Sequence, residues 1–298
     1  MKKKLTKSQL KKQRKQLKPS DVLERNLLNA FRKVFTFSRK DIITINDLAN
    51  QAQEFNYKGI AGYIQRIAKD IVSRNNKGFV NVVNSLVMGS KGFDSTKQRE
   101  LNKALQDTIK SRKIYEPLMR KFEENVALIK NVPMDVIQEL RNKYAAGVSF
   151  RGSDIEQYLT KRLGNRARLI IRTESSKLNA ALTEVRARNL GIPAFIWSTS
   201  EDRRVRPSHK MMDGVMVFYG NILSLDKMIG YAGETPNCRC VGLPVVTLED
   251  IKFPVKVAVG DVYIETHKNV ARVVSGQIRT FTKQQFIDNF GKYFSDGW

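Results

Sequence analysis

Residues 165–198 read NRARLIIRTESSKLNAALTEVRARNLGIPAFIWS, and the fold class turns on this stretch. Asn165 to Asn189 is expected to be a long helix, with Gly191 placed as its C-terminal cap, where left-handed backbone suits glycine. Ala194–Ser198 then predicts a strand. Phe195 and Trp197 alternate along it with Ala194 and Ile196, a period-two pattern that favours core packing over base stacking. Downstream, the apolar run Val215–Tyr219 predicts a second strand and Val241–Val246 a third, separated by Gly- and Asn-rich loops at 220–240. Helices followed by short strands indicate an α+β protein.

Upstream of this stretch the pattern is almost wholly helical. Pro19-Ser20-Asp21 starts a helix in which Asp21 and Glu24 have capping-box spacing. Val22, Leu23, Leu27, Leu28, Phe31, Val34 and Phe35 recur at helical spacing, and all of them but Leu28 make a broad apolar face expected to meet another subunit or a partner protein. Further helices are expected from Asn46 or Asp47, over Gly59–Ser73, over Phe79–Met88, over Ser95 to about Lys130, and over Pro133–Tyr144. Asn75-Asn76-Lys77-Gly78 predicts a loop, and Pro117 predicts a kink or division. Asp154–Leu163 predicts one more short helix. The end of the chain changes character: Val255–Val259, Val262–Glu265, Ala271–Ser275 and Gln277–Phe281 suggest short strands. Ser275-Gly276 suggests a turn, and Thr282–Gln285 the cap of a final helix. The expected organisation is a basic disordered arm at 1–18, a helical domain at 19–150, a mixed α/β module at 151–250 and a β-rich tail at 251–298.

Charge narrows the partners. The 298-residue chain carries 53 Lys or Arg against 29 Asp or Glu, a net charge of +24. Residues 1–150 hold 31 basic and 14 acidic residues, so most of the excess lies in the N-terminal half. Lys2, Lys3, Lys4, Lys7, Lys11, Lys12, Arg14, Lys15 and Lys18 fall within the first 18 residues without one acid. Such an arm favours polyanions, double-stranded DNA first, through phosphate contacts that carry no sequence information. No zinc-finger, homeodomain or RNP spacing accompanies it. No apolar run approaches the roughly 18–20 residues of a membrane span, and the basic N-terminus lacks the apolar core of a signal peptide. The chain is therefore expected to be made in the cytoplasm.

Two constellations could carry chemistry. His209, Cys238 and Cys240 are a partial ligand set for tetrahedral zinc, with Asp202 or Asp213 as a fourth member. Otherwise the two cysteines are small buried residues, and no other cofactor is indicated. Arg172, Glu174, Glu184, Asp202, Arg204, Arg206 and His209 could surround a phosphate as a nuclease-like site with His209 as acid–base. The alternative is a structural polar network, built on Arg172, Glu174, Asp202, Arg204, Arg206 and Asp213, that pins the long helix to the strands.

The order Arg172-Thr173-Glu174, Phe195-Ile196-Trp197, Ser200 to His209, Asp213-Gly214 and Asn237-Cys238-Arg239-Cys240 resembles the phage head morphogenesis family, the minor head proteins related to phage Mu F. Ala232–Pro236 departs from the Pro-Gly usual in that family before the cysteine pair. The resemblance implies a minor head protein rather than an enzyme, located in the capsid interior beside the portal protein and other head proteins. Its implied role is in head assembly, genome packaging or DNA ejection. Homo-oligomers are expected. A nucleic-acid-processing enzyme using His209, and a host nucleoid-type DNA binder, are the competing readings.

Overall fold

The computed structural model describes residues 7–18, 21–34, 45–54, 58–87, 94–148 and 152–294. The chain is α+β, and its two compact units interleave along the sequence. One comprises residues 20–71 and 119–175, the other 1–19, 72–118 and 176–298. These units do not follow linear divisions at 150 and 250.

The first unit is helical. α2 (Asp21–Val34), α3 (Ile45–Glu54), the start of α4 (Lys58–Val87), most of α6 (Arg112–Ala127), α7 (Val132–Ala145) and the start of α8 (Gly152–Asn189) bury apolar faces within it. Leu23, Leu27, Leu28 and Phe31 of α2 are buried, whereas Val22 is exposed. This corrects the expected contact face at Leu23, Leu27 and Phe31, which are internal core; the Val34 side chain is not among those described. Phe35 lies outside the described residues. On the unit's polar side, Glu139 pairs with Arg162 at 2.8 Å and Arg166 at 3.0 Å.

The second unit opens in the described residues with α1 (Lys7–Leu17), which corrects the expected disordered arm over that span; residues 1–6 lie outside the described residues. Gln13 and Leu17 lie one helical turn apart and are both buried. Gln13 donates to Ser85 Oγ at 3.1 Å, and the Leu17 carbonyl accepts from Asn179 Nδ2. Asn75–Gly78 is likewise not a loop, because α4 runs through it without a break. Asn75 is buried and donates to the Asn179 carbonyl, Asn179 Oδ1 and Thr183 Oγ1 on α8. At Gly78 a Cβ would stand 2.3 Å from the Gln16 carbonyl oxygen, so glycine is there to admit α1. The Asn-Asn-Lys-Gly run is a helix crossing point.

Other differences have similar causes. The break between α5 (Ser95–Lys110) and α6 falls at Ser111, ahead of Pro117. α8 continues through Gly164 as one helix of 38 residues and ends where Gly191 adopts φ +70°.

The second unit also holds one sheet in the order β4-β3-β6-β2-β1-β5, with β7 on the other edge of β6. β1 (Ala194–Ser198) lies antiparallel between β2 (Val215–Phe218) and β5 (Val241–Val245). β6 (Val255–His267) pairs in parallel with β2 at its start and with β3 (Leu223–Leu225) near its end; β4 (Met228–Ile229) pairs with β3. The sequence tail is therefore an internal part of the sheet.

β6 and β7 (Val270–Phe281) form one long hairpin instead of four short strands. Its turn is Lys268-Asn269, both at positive φ, as tight two-residue hairpins require. Ser275-Gly276 is not the turn. Gly276 sits within β7, where a Cβ would come 2.1 Å from the Asp261 carbonyl. α10 (Lys283–Phe290) starts at Thr282 with a full capping box and covers the face carrying Ala194, Met216 and Val257 through Phe286. Among the described residues no helix is long and apolar enough to cross a membrane.

Candidate functional site

Three buried segments meet on the face of the sheet that carries Phe195 and Trp197. β1 supplies Trp197; α9 (Pro207–Met212), begun by Pro207 at its first position, supplies His209; the turn before β5 supplies Cys238 and Cys240. The chain returns to β1 after α9, since Gly214 N–H donates to the Trp197 carbonyl at 2.9 Å. Cys238 N–H bonds the Thr235 carbonyl at 3.0 Å, while Asn237 takes positive φ. The two cysteines stand two residues apart just ahead of β5, and both sulfurs face His209.

His209 Nδ1 lies 3.5 Å from Cys238 Sγ and 3.5 Å from Cys240 Sγ. His209 is 2% exposed, Cys238 4% and Cys240 5%. The Trp197 and His209 rings stand edge to face, centroids 5.5 Å apart. Cys240 N–H donates to Cys238 Sγ at 3.4 Å. Among the described residues the Trp197 indole N–H has no well-formed hydrogen bond, and it lies close to the Cys240 sulfur. The bond from Cys240, and then His209, hold the Cys238 thiol well below its usual range, while that same bond and burial push Cys240 up. Arg206 Nη1 stands 3.4 Å from both His209 Nε2 and Thr235 Oγ1, and Nη2 donates to the Pro236 carbonyl.

Carboxylates brace this centre from outside. Ser208 Oγ donates to Asp226 Oδ2 at 2.5 Å, and Asp226 Oδ1 accepts Thr266 N–H at 2.7 Å, so α9 is tied to β6. Asp202 accepts two bonds from Arg239, the Arg204 N–H at 2.9 Å and Ser200 Oγ at 3.2 Å. Arg239, with those other donors, holds the Asp202 carboxyl down to about 2. Asp213 Oδ1 accepts Thr199 N–H at 2.7 Å. Asp202 and Asp213 are thus engaged elsewhere, and neither joins His209, Cys238 and Cys240 as a ligand.

The expected single polar network divides in two. Arg172 bonds Glu24 at 3.1 Å and Glu174 accepts from Asn125 at 2.7 Å, all within the helical unit. Asp202, Arg204, Arg206 and Asp213 serve the loops of the mixed unit, Arg204 through its backbone, with its side chain exposed. Ser208 and Asp226 carry no sequence signal for these roles, and the pairing of Arg239 with Asp202 and the place of the Trp197 indole emerge only in the structure.

The basic residues also sort. Lys11, Lys12 and Lys15 are exposed on α1, and Lys18 is half-buried. Arg14 bonds the Thr199 carbonyl and pairs with Glu201 at 3.3 Å, which holds α1 beside the loop that exposes Arg203 and Arg204. Lys7 opens α1, and Lys2, Lys3 and Lys4 lie outside the described residues.

Residues 135–243 match the family model described as phage Mu protein F like protein. The resemblance seen in the Arg172–Cys240 motifs is thereby shown for this segment, which ties it to a phage head-related family. An uncharacterized protein of Haemophilus influenzae is 38% identical over 128 residues, covering 41% of this chain and 28% of that protein. The chain thus spans well under two thirds of that relative's length. No solved structure matches.

Proposed function

We propose that the protein is a phage minor head protein of the capsid interior, associated with the portal protein and other head proteins, that holds double-stranded DNA without reading its sequence. It would assist head assembly, genome packaging or ejection. The observation that carries this reading is the match over residues 135–243, the segment that builds β1, β2 and the His209–Cys240 centre. Charge supports the DNA part. The net charge is +24, and exposed Lys11, Lys12 and Lys15 stand on a helix clipped by Arg14 to the loop carrying Arg203 and Arg204. Cations on neighbouring elements neutralise phosphates and release counterions, which yields affinity that falls steeply with salt.

The enzymatic reading is less favoured, because His209 at 2% exposure offers no path to a phosphodiester. The test is mass spectrometry of purified virions and procapsids, before and after DNA release. The protein is expected in both particles, and its loss together with the genome would assign it to ejection. Absence from virions and procapsids alike would contradict the proposal.

A further inference from the structure

We propose that His209 Nδ1, Cys238 Sγ and Cys240 Sγ hold a zinc ion that ties α9 to the turn before β5, with a solvent ligand in the fourth position. Tetrahedral zinc with Zn–N near 2.0–2.1 Å and Zn–S near 2.3 Å requires an N···S separation of about 3.5 Å. Both separations here are 3.5 Å, measured from one nitrogen. Hydrogen bonding accounts for only one of them, since Nδ1 either accepts one S–H or donates its single N–H.

The surroundings also place an N–H donor beside each sulfur. Cys238 Sγ receives the Cys240 N–H, and Cys240 Sγ has nearby the buried indole N–H of Trp197, which has no other partner among the described residues. A buried N–H left unpaired carries a cost that a thiolate acceptor removes. Deprotonating both buried thiols together needs a compensating cation, and sulfur with imidazole selects zinc among the common divalent ions. Metal at Nδ1 puts the imidazole proton on Nε2, facing Arg206. Arg206 can release that contact, since Thr235 Oγ1 and the Pro236 carbonyl remain as acceptors. Asp202 and Asp213 are committed to Arg239 and Thr199, so three protein ligands leave one open position.

The test begins with elemental analysis of full-length protein purified without chelator from zinc-supplemented cells. The expected stoichiometry is about one zinc per chain. Replacing zinc with cobalt should produce thiolate-to-cobalt charge-transfer absorption, lost in Cys238→Ser and in Cys240→Ser. Because those variants can fail to fold, the wild-type protein supplies a second readout. Zinc should protect both thiols from alkylation, and a chelator should abolish that protection. Zinc near zero in both the purified and the reconstituted protein, with alkylation rates indifferent to zinc, would overturn the proposal.

Discussion

The loops around His209 and the helix α1 lie in the same compact unit and put polar residues to opposite uses. In the loops, Ser208, His209, Cys238 and Cys240 are sealed inside, and each is matched to a neighbour. On α1 one turn spacing, Gln13 to Leu17, is buried, and Lys11, Lys12 and Lys15 remain in solvent. A sealed polar group acts on stability, because exposing or unpairing it costs free energy. A solvated cation adds little to stability and is available to a partner. The two regions should therefore answer to different measurements.

The largest effect is expected in the sealed region. Trp197→Ala removes a fully buried ring from against His209 and should cost about 3–5 kcal/mol in chemical denaturation. Whatever fraction stays folded should bind DNA as wild type does. A cost under about 1 kcal/mol would mean the loops are not packed as described.

Gly78→Ala probes the seam between the two behaviours. Its new Cβ meets the Gln16 carbonyl, so α1 must shift or detach, at about 1–3 kcal/mol. Limited proteolysis should then cut within residues 7–17 faster than in wild type. An unchanged cleavage pattern would show that α1 does not depend on that close approach.

A smaller effect is expected at the rim of the sealed region. Asp202 is held down to about 2, chiefly by Arg239, below its unfolded value of about 4. The pair's stabilisation is therefore present above pH 4 and is lost as pH falls through 2. Its side chain is 37% exposed, so the contribution is limited to about 1 kcal/mol. Arg239→Gln should remove that amount at neutral pH and flatten the pH dependence between 4 and 2. Identical acid profiles for variant and wild type would remove Arg239 as the cause.

What the sequence made legible follows from how local each feature is. β1 was legible residue for residue, because period-two alternation and the Gly191 cap are written within a few positions. The capping box at Thr282 and Gln285 was legible for the same reason. His209, Cys238 and Cys240 could be grouped because few other residues have their chemistry, and the structure brings them together. The helix through Asn75–Gly78 could not be read, since its polar and glycine residues serve α8 and α1, which are distant in sequence. The place of β6 beside β2 and β3 was hidden likewise. Parallel pairing leaves no local turn signal, and the Lys268-Asn269 turn lacks the glycine that usually marks a tight hairpin. The α2 stripe was seen correctly as apolar, but periodicity alone does not tell an internal partner from an external one.

The exposed side of the comparison gives the most direct test. Lys11→Gln, Lys12→Gln and Lys15→Gln combined should leave stability within about 0.5 kcal/mol of wild type. Binding to double-stranded DNA of unrelated sequences should be measured for both proteins across a salt series. The slope of log K against log salt should become shallower by about 3, one phosphate contact per lysine, and equally for every sequence. An unchanged slope, or a loss confined to one sequence, would contradict the account of α1 as a solvated cationic face for DNA.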